Sequence, residues 1–314
     1  MKIKNNPIYS GVYGEMIGRP FEFAYFYVEK VINPLNDKDI DPEKYSLLLP
    51  ILRTGMYEKI HAGVEKYFPA KLKGLEEFVY GKKMSHFFTD DTVLTVATMD
   101  ALLEDNENPD FQKFYLKWAR AYPNAGYGRV FREWIESNDP KPYGSLGNGG
   151  AMSVSPVAFI SNDILDVERL AELSARVTHD HPEGIDGAIA VAGAVFLAKR
   201  QFGKKYIHKY ISGFPNYNMH RKLSDIRKNY NFYSEALKSV PESIICFYEA
   251  RSSKEAISNA LSLAGDTDTM AMIAGVLAGT YYKDTEDHMV GFCRMRLPEE
   301  MLYIIDEFEE KFIR

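Results

Sequence analysis

The sequence predicts an all-α protein, folded as a compact bundle of many helices. Apolar residues recur at helical spacing along most of the 314 residues, and residues that favour helix starts precede several of these stretches. Alternating strand patterns bounded by hairpin turns are scarce. No Pro-, Ser- and Gly-rich linker divides the chain, so we expect one domain over residues 1–314.

Apolar stripes with a period near 3.6 residues define the predicted helices in chain order. The first stripe follows Asp91, and similar stripes cover residues 111–119 and 167–177. Pro241 is predicted in the first turn of a later helix, where its missing N–H is tolerated. Ser252 opens a Ser-x-x-Glu capping box, which predicts another helix after it.

Composition and charge describe an ordinary globular protein. The apolar fraction is 46%, with 21 Tyr and 19 Phe. The net charge of -6 argues against a general affinity for nucleic acid, although a local basic patch is compatible with it. Cys246 and Cys293 are too few for a disulfide scaffold and lack metal-site spacing. Neither a signal peptide nor a membrane-spanning window is evident, so we expect a cytoplasmic protein without a membrane partner.

Two Asp/Thr-rich phrases, at residues 88–92 and 265–269, each stand at the start of a predicted helix. A single phrase of this kind is best explained as a helix N-cap. If both phrases converge, four carboxylates repel one another, and two divalent cations would balance their charge. Carboxylate and hydroxyl oxygens suit Mg, Mn or Ca. The presence of both phrases therefore favours a metal site over two independent caps.

Two segments rich in Ala and Gly, at residues 188–198 and 270–280, could allow the required convergence. Small residues let helices approach one another closely. Because the second segment directly follows one Asp/Thr phrase, close packing could bring both phrases to the centre of the bundle.

A glycine-rich stretch at residues 143–152 could expose backbone N–H groups to a phosphate, as anion-cradling loops do. Alone it is better explained as a flexible turn, and the Gly-Tyr-Gly phrase at 126–128 is either a turn or a glycine loop with an aromatic platform. His179 and His181 lack the His-Glu-x-x-His spacing of a zinc site, so ligand contact or capping suits them better. Glu22 alone would be a surface carboxylate.

Together these phrases resemble the ADP-ribosylglycohydrolases, which include the dinitrogenase reductase-activating glycohydrolases and the metal-dependent ADP-ribosyl-acceptor hydrolases. The matching motifs are Gly14-x-x-x-Gly18-x-x-x-Glu22, Thr89-Asp90-Asp91-Thr92, Gly147-Asn148-Gly149-Gly150-Ala151-Met152, Thr178-His179-x-His181-Pro182-Glu183 and Gly265-Asp266-Thr267-Asp268-Thr269. They occur in the family's order, between about residue 9 and residue 284.

The resemblance implies an all-α fold with a central cleft and a binuclear Mg or Mn centre. The metal ligands carried over by motif are Thr89, Asp90, Asp91, Asp266, Asp268 and Thr269. Glu22 would sit beside the metals as a gating or water-activating carboxylate, and Asp90 and Asp91 would share in catalysis. The implied substrate-binding residues are Gly126, Tyr127, Gly128, Ser145, Gly147, Asn148 and His179.

The implied reaction is hydrolysis of the glycosidic bond between ADP-ribose and an acceptor, on a protein or a small conjugate. Arginine is the leading acceptor, with serine-linked and nucleic-acid adducts as alternatives. Two further hypotheses stay open: a non-catalytic, crystallin-like relative, and a metal-dependent nucleotide phosphohydrolase. The phosphohydrolase hypothesis is weakened because neither metal phrase contains a basic residue to clamp a phosphoryl group.

The chain departs from the family pattern at three places. Glu15 stands where the family usually has Asp, and Ala264 stands where it usually has Gly. Residues 199–235 look like an insertion, and the part at 199–228 is rich in Lys, Arg and Tyr. This basic segment is best explained as a solvated pair of helices, and the alternative is that it steers an anionic target towards the site.

Overall fold

A computed structural model of the protein describes residues 6–22 and 88–314, and over these ranges the prediction of an all-α fold is confirmed. These residues form fifteen α-helices and a terminal π-helical turn, Glu309–Ile313, without a β-strand among them. In chain order the helices are α1 (Pro7–Glu22), α2 (Asp90–Glu104), α3 (Phe111–Ala121), α4 (Arg129–Glu136), α5 (Gly149–Ser153), α6 (Val157–Ile160), α7 (Ile164–Arg176), α8 (Pro182–Lys199), α9 (Lys204–Ile211), α10 (Leu223–Asn229), α11 (Ala236–Glu249), α12 (Ser253–Leu261), α13 (Thr267–Tyr282), α14 (Asp287–Arg294) and α15 (Glu299–Phe308).

Polar side chains start several of these helices as the sequence predicts. The Ser252 hydroxyl accepts the Glu255 N–H at 3.1 Å and caps α12. The prediction for Pro241 was wrong. It lies inside α11, which begins five residues earlier at Ala236. The Ala236 N–H bonds to Leu146 O at 2.9 Å, so a tertiary contact fixes a helix start that the local pattern does not indicate.

Helix α1 packs closely against α13. A Cβ atom added to Gly14 would lie 2.6 Å from Ala271 O, and one added to Gly275 would lie 2.5 Å from Ser10 O. Both distances are shorter than van der Waals contact, so only glycine allows this approach. The small residues of α13 therefore serve the purpose predicted for them, and they fix the N-terminal helix against a helix more than 240 positions later in the chain.

The proposed insertion contains α9 and α10, and three of its basic side chains bind partners within the fold. Lys204 Nζ donates to Phe247 O at 2.9 Å and to two more carbonyl oxygens beside the end of α11. Arg227 donates to Asn259 Oδ1 at 2.9 Å, and Arg221 pairs at 2.6 Å with the buried Glu242. These three charges therefore contribute to packing, and the spacing of the sequence alone does not reveal this.

No helix within residues 6–22 and 88–314 combines the length and the apolar character that crossing a membrane requires.

Candidate active site

A cleft of about 750 Å³ opens where the N-terminal ends of α2, α4, α5 and α13 meet. Helix N-termini expose backbone N–H groups and favour negative charge. The sequence-predicted site residues that line this cleft are Asp90, Asp91, Gly126, Tyr127, Gly128, Ser145, Gly147, Asn148, His179, Asp266, Asp268 and Thr269. The structure therefore brings together one surface from segments that are far apart in sequence.

Two of the predicted site residues are not in this lining. Thr89 lies directly behind it and contacts Asp91. Glu22 is the last residue of α1, and its side chain lies outside the described residues.

Asp91 joins the two Asp/Thr phrases. Its Oδ2 atom accepts the Thr89 hydroxyl at 3.1 Å and the Thr269 hydroxyl at 3.3 Å. Its Oδ1 atom is buried and has no hydrogen-bond partner among the described residues. A buried carboxylate oxygen without a donor is costly, because desolvation is not compensated. This oxygen is therefore well placed to bind a cation.

The second phrase is held by the glycine-rich loop. Asn148 Nδ2 donates to Asp266 Oδ2 at 2.7 Å, and to Ser239 Oγ on α11 at 3.1 Å. Asp268 Oδ1 accepts the N–H of Thr269 at 2.9 Å, at the start of α13. Both carboxylates are more than nine-tenths buried. Asn148 thus lines the cleft and contacts a predicted metal ligand directly.

The buried carboxylates of the two phrases raise one another's pKa values. Burial, and next the charge of Asp268, raises the pKa of Asp90 to about 7. The same two causes raise the pKa values of Asp91 and Asp266 well above the usual range. The charge of Arg19 opposes this effect at Asp90 but is the weakest of its causes. The site therefore holds more negative charge than its surroundings compensate, which is the condition that divalent cations relieve.

The donor set suits a hard divalent cation. Its atoms are carboxylate and hydroxyl oxygens, and one buried carboxylate oxygen has no hydrogen-bond partner among the described residues. Among residues 6–22 and 88–314, however, no three His, Cys, Asp or Glu side chains alone form a group that could hold a metal ion. A metal bound here would therefore also use the threonine hydroxyls, as the predicted ligand set includes.

The His179 ring packs against the glycine-rich loop. Cβ atoms added to Gly149 and Gly150 would lie 3.3 Å and 3.6 Å from its ring. The Thr178 hydroxyl is 2.7 Å from Nδ1, and burial lowers the pKa of His179 to about 4. The ring is therefore neutral near pH 7, and it both fixes the loop and reaches the cleft lining.

Tyr127 presents a second buried polar atom at this surface. Its hydroxyl is buried and has no hydrogen-bond partner among the described residues, and its ring packs on Phe131. Burial, and next the charge of Asp90, raises the pKa of Tyr127. The phenol therefore stays protonated and can donate a hydrogen bond to a bound molecule. Gly126 before it has φ of +101°, a backbone conformation that favours glycine.

The turn before α13 carries backbone strain. Ala264 has φ of +54°, in the left-handed region that costs about 1–2 kcal/mol for a residue with a Cβ atom. This is the position where the family pattern usually has glycine. The structure explains that preference by the local backbone conformation.

Several residues that the sequence motifs did not indicate also line the cleft. Among them are Arg129, Arg132, Phe232 and Glu235. Arg129 pairs with Glu133 at 2.6 Å, and Glu235 pairs with Lys238 at 2.9 Å. Arg129 directly follows the Gly-Tyr-Gly phrase and Arg132 stands three residues further on, so this phrase is the nearest sequence signal for both. Glu235 gives no local signal, because a long-range bridge to Gly147 places it.

Fold and site together define an all-helical protein, over the described residues, with a buried carboxylate cluster at its cleft. The sequence model of the ADP-ribosylglycohydrolase family matches residues 8–289. The chain belongs to this family, whose members hydrolyse glycosidic bonds of ADP-ribose and are generally metal-dependent.

Curated relatives agree with this assignment. ADP-ribosylhydrolase ARH3 of Gallus gallus is 28% identical over 260 residues, covering 63% of this chain and 71% of the relative. ADP-ribosylhydrolase ARH3 of Homo sapiens is 27% identical over 257 residues, covering 62% of this chain and 71% of the relative. A solved ADP-ribosylglycohydrolase-related protein complex superposes with a TM-score of 0.56 at 24% identity, over 71% of this chain and 81% of that chain. At this identity the last similarity shows the fold.

Proposed function

We propose that the protein uses this cleft to cleave ADP-ribose from an acceptor, with two divalent cations, Mg or Mn, bound by the two Asp/Thr phrases. The observation that supports the proposal most directly is the Asp91 carboxylate. It accepts hydroxyls from both phrases through Oδ2 and keeps a buried Oδ1 without a partner among the described residues. The proposed ligands are Thr89, Asp90, Asp91, Asp266, Asp268 and Thr269. Cations bound there would supply Lewis-acid polarisation of the substrate's hydroxyls and lower the pKa of water.

The chain's own residues have separate parts in this proposal. Backbone N–H groups at the starts of α4 and α5, with Arg132 in the lining, would hold the diphosphate of ADP-ribose. The Tyr127 hydroxyl would donate to a substrate oxygen near Asp90. Asp90, which is partly exposed at the cleft, would accept a hydrogen bond from an attacking water. The role of Glu22 stays a prediction from the family motif.

Protein-linked arginine is the proposed acceptor, with serine-linked ADP-ribose as the comparison. Glu235 supports this choice, because it is a carboxylate in the cleft lining outside the proposed metal ligands. Its side chain is 34% exposed, so it can pair with a guanidinium group that approaches from solvent.

The test is a panel of arginine-, serine- and nucleobase-linked ADP-ribose substrates with Mg or Mn, analysed by product. Free ADP-ribose means glycosidic cleavage, whereas AMP or phosphate would mean phosphoester cleavage and would refute the proposal. Asp268→Ala should lose metal and activity together. Asp287→Ala, an exposed Asp in the first turn of α14, is the matched control and should retain both. Normal metal binding by Asp268→Ala would remove it from the ligand set.

A further inference from the structure

Glu15 is a carboxylate of α1 that binds the start of α2. Its side chain is fully buried. One of its oxygens accepts the backbone N–H of Thr89, and the other accepts the hydroxyl of Thr92. Thr89 and Thr92 stand on either side of Asp90 and Asp91. One carboxylate therefore holds both sides of the first Asp/Thr phrase.

The same helix also holds the second phrase. Thr267 Oγ1 donates to Gly18 O at 2.8 Å. The backbones are so close there that a Cβ atom added to Gly18 would lie 2.6 Å from Thr267 O. Glu15 and Gly18 are one helical turn apart on α1, so a single stiff element contacts both phrases and sets the distance between them.

We propose that Glu15 is a positioning residue of the metal centre. Through its length and its two acceptor oxygens, it holds the start of α2 where Asp90 and Asp91 can share cations with Asp266 and Asp268. This inference rests on the proposed function for the identity of the ligands. Aspartate at this position keeps the charge but is one methylene shorter, so we expect its oxygens to draw back from the Thr89 and Thr92 donors.

The alternative is that Glu15 acts through its charge, by making the site more negative. Two conservative variants separate these roles. Glu15→Gln keeps the length: its amide oxygen can accept the Thr89 N–H, and its amide nitrogen can donate to Thr92 Oγ1, since a hydroxyl both donates and accepts. Glu15→Asp keeps the charge and loses the reach. A role in positioning predicts that Gln is tolerated and Asp is not.

The experiment is calorimetric titration of the full chain with Mn²⁺ after EDTA treatment, with circular dichroism and thermal unfolding in EDTA as the check of folding. Glu15→Gln should bind Mn²⁺ like the wild type. Glu15→Asp should bind it about 10- to 100-fold more weakly, the usual effect of losing a residue that orients metal ligands. The inference is overturned if Glu15→Asp binds normally, or if Glu15→Gln loses as much affinity as Glu15→Asp.

Thr92→Val removes the hydrogen bond from the Thr92 hydroxyl to Glu15 by a change in α2. It tests the inference independently if Glu15→Asp does not fold. Thr92→Val should weaken the binding of Mn²⁺ by the wild type. In the Glu15→Asp background it should reduce the Mn²⁺ affinity less, because the hydrogen bond is already weakened there. Thr95→Val is its matched control on the same helix. Thr95 is also fully buried, and its hydroxyl has no hydrogen-bond partner among the described residues. Equal Mn²⁺ affinity in Thr92→Val and Thr95→Val would refute the inference.

Outcomes for the two proposals remain distinct. If the wild type binds Mn²⁺ but releases no ADP-ribose from any substrate, the proposed function fails while the titrations still decide on Glu15. If the wild type hydrolyses substrate and Glu15→Asp binds Mn²⁺ normally, only the Glu15 inference fails. A wild type that binds neither Mn²⁺ nor Mg²⁺ would overturn both.

Discussion

Asn148 and Asp266 are 118 positions apart in the sequence, and the Asn148 amide donates to the Asp266 carboxylate at 2.7 Å. The contact joins the glycine-rich loop to the second Asp/Thr phrase. A side chain that the family motif suggested as a substrate contact is thus directed at a proposed metal ligand.

We expect Asn148→Ala to weaken metal binding. Without its amide donor, Asp266 loses the hydrogen bond that orients it, and metal affinity should fall about 10- to 100-fold. Calorimetry with Mn²⁺ measures this loss. Ser239→Ala, which removes the other partner of the Asn148 amide, should have a smaller effect. Normal metal affinity with a raised KM for ADP-ribosylated substrate would instead restore Asn148 to the role of a substrate contact.

Tyr127→Phe should lower activity without lowering stability. The variant removes a buried hydroxyl that has no partner among the described residues, so the free energy of unfolding should stay constant or rise. If the hydroxyl donates to substrate, kcat/KM should fall about 10-fold, equivalent to about 1.4 kcal/mol. Tyr217→Phe is the matched control, because its hydroxyl is likewise buried without a partner there but does not line the cleft. Equal activity in both variants would exclude a hydrogen bond from the Tyr127 hydroxyl to the substrate.

Glu235→Gln should affect one class of substrate more than another. If Glu235 pairs with a guanidinium group, the loss of its charge should reduce kcat/KM for arginine-linked ADP-ribose about 10-fold or more. Serine-linked substrate should change little. Glu133→Gln, an exposed carboxylate outside the lining, is the control. An equal reduction for both substrates would argue against arginine as the acceptor.

The metal-free protein should become less stable as the pH rises from about 6 to about 8. Asp90 has a pKa of about 7 in the folded protein, and Asp91 and Asp266 are also raised. These carboxyls retain protons that the unfolded chain releases near pH 4. Between these two pKa values the folded chain binds more protons than the unfolded chain. The contribution of these carboxyls to the free energy of unfolding is therefore highest at low pH and falls as the pH rises through the pKa of the folded protein.

Thermal unfolding in EDTA measures this pH effect, and a Tm at pH 8 equal to or above that at pH 6 would contradict it. In saturating Mn²⁺ the Tm should increase more at pH 8 than at pH 6, because ligands must be deprotonated to bind metal. Asp268→Ala should reduce the pH dependence in EDTA, since the charge of Asp268 is the second cause of all three shifts.

Ala264→Gly should stabilise the protein. Relief of the left-handed strain is worth about 1–2 kcal/mol, and the extra backbone entropy of glycine in the unfolded chain offsets about 0.5–1 kcal/mol of it. The expected net gain is about 0.5–1 kcal/mol, read from urea unfolding. Ala260→Gly, inside α12, should destabilise by about 1 kcal/mol and serves as the opposite control. A lower free energy of unfolding in Ala264→Gly would show that Ala264 is not strained.

Periodicity predicted the helical fold because the helices bury apolar stripes or small-residue faces that recur in the sequence. The family resemblance also implied that the two Asp/Thr phrases meet, and the Asp91 carboxylate does contact Thr269 of the other phrase. Other features depend on distant partners. The start of α11 depends on Leu146 and the direction of the Asn148 amide on Asp266, and neither partner is close in sequence. Local patterns cannot supply such contacts.

The pairing of α1 with α13 has a consequence for the order of folding during synthesis. The ribosome synthesises α1 long before its partner α13, which ends at Tyr282. A nascent chain that has reached residue 260 carries the first Asp/Thr phrase and the glycine-rich loop but lacks the second phrase. Until α13 emerges, the close-packed face of α1 stays without its partner, and contacts between such distant segments form slowly. The two Asp/Thr phrases can therefore take up their final arrangement only after α13 has been synthesised.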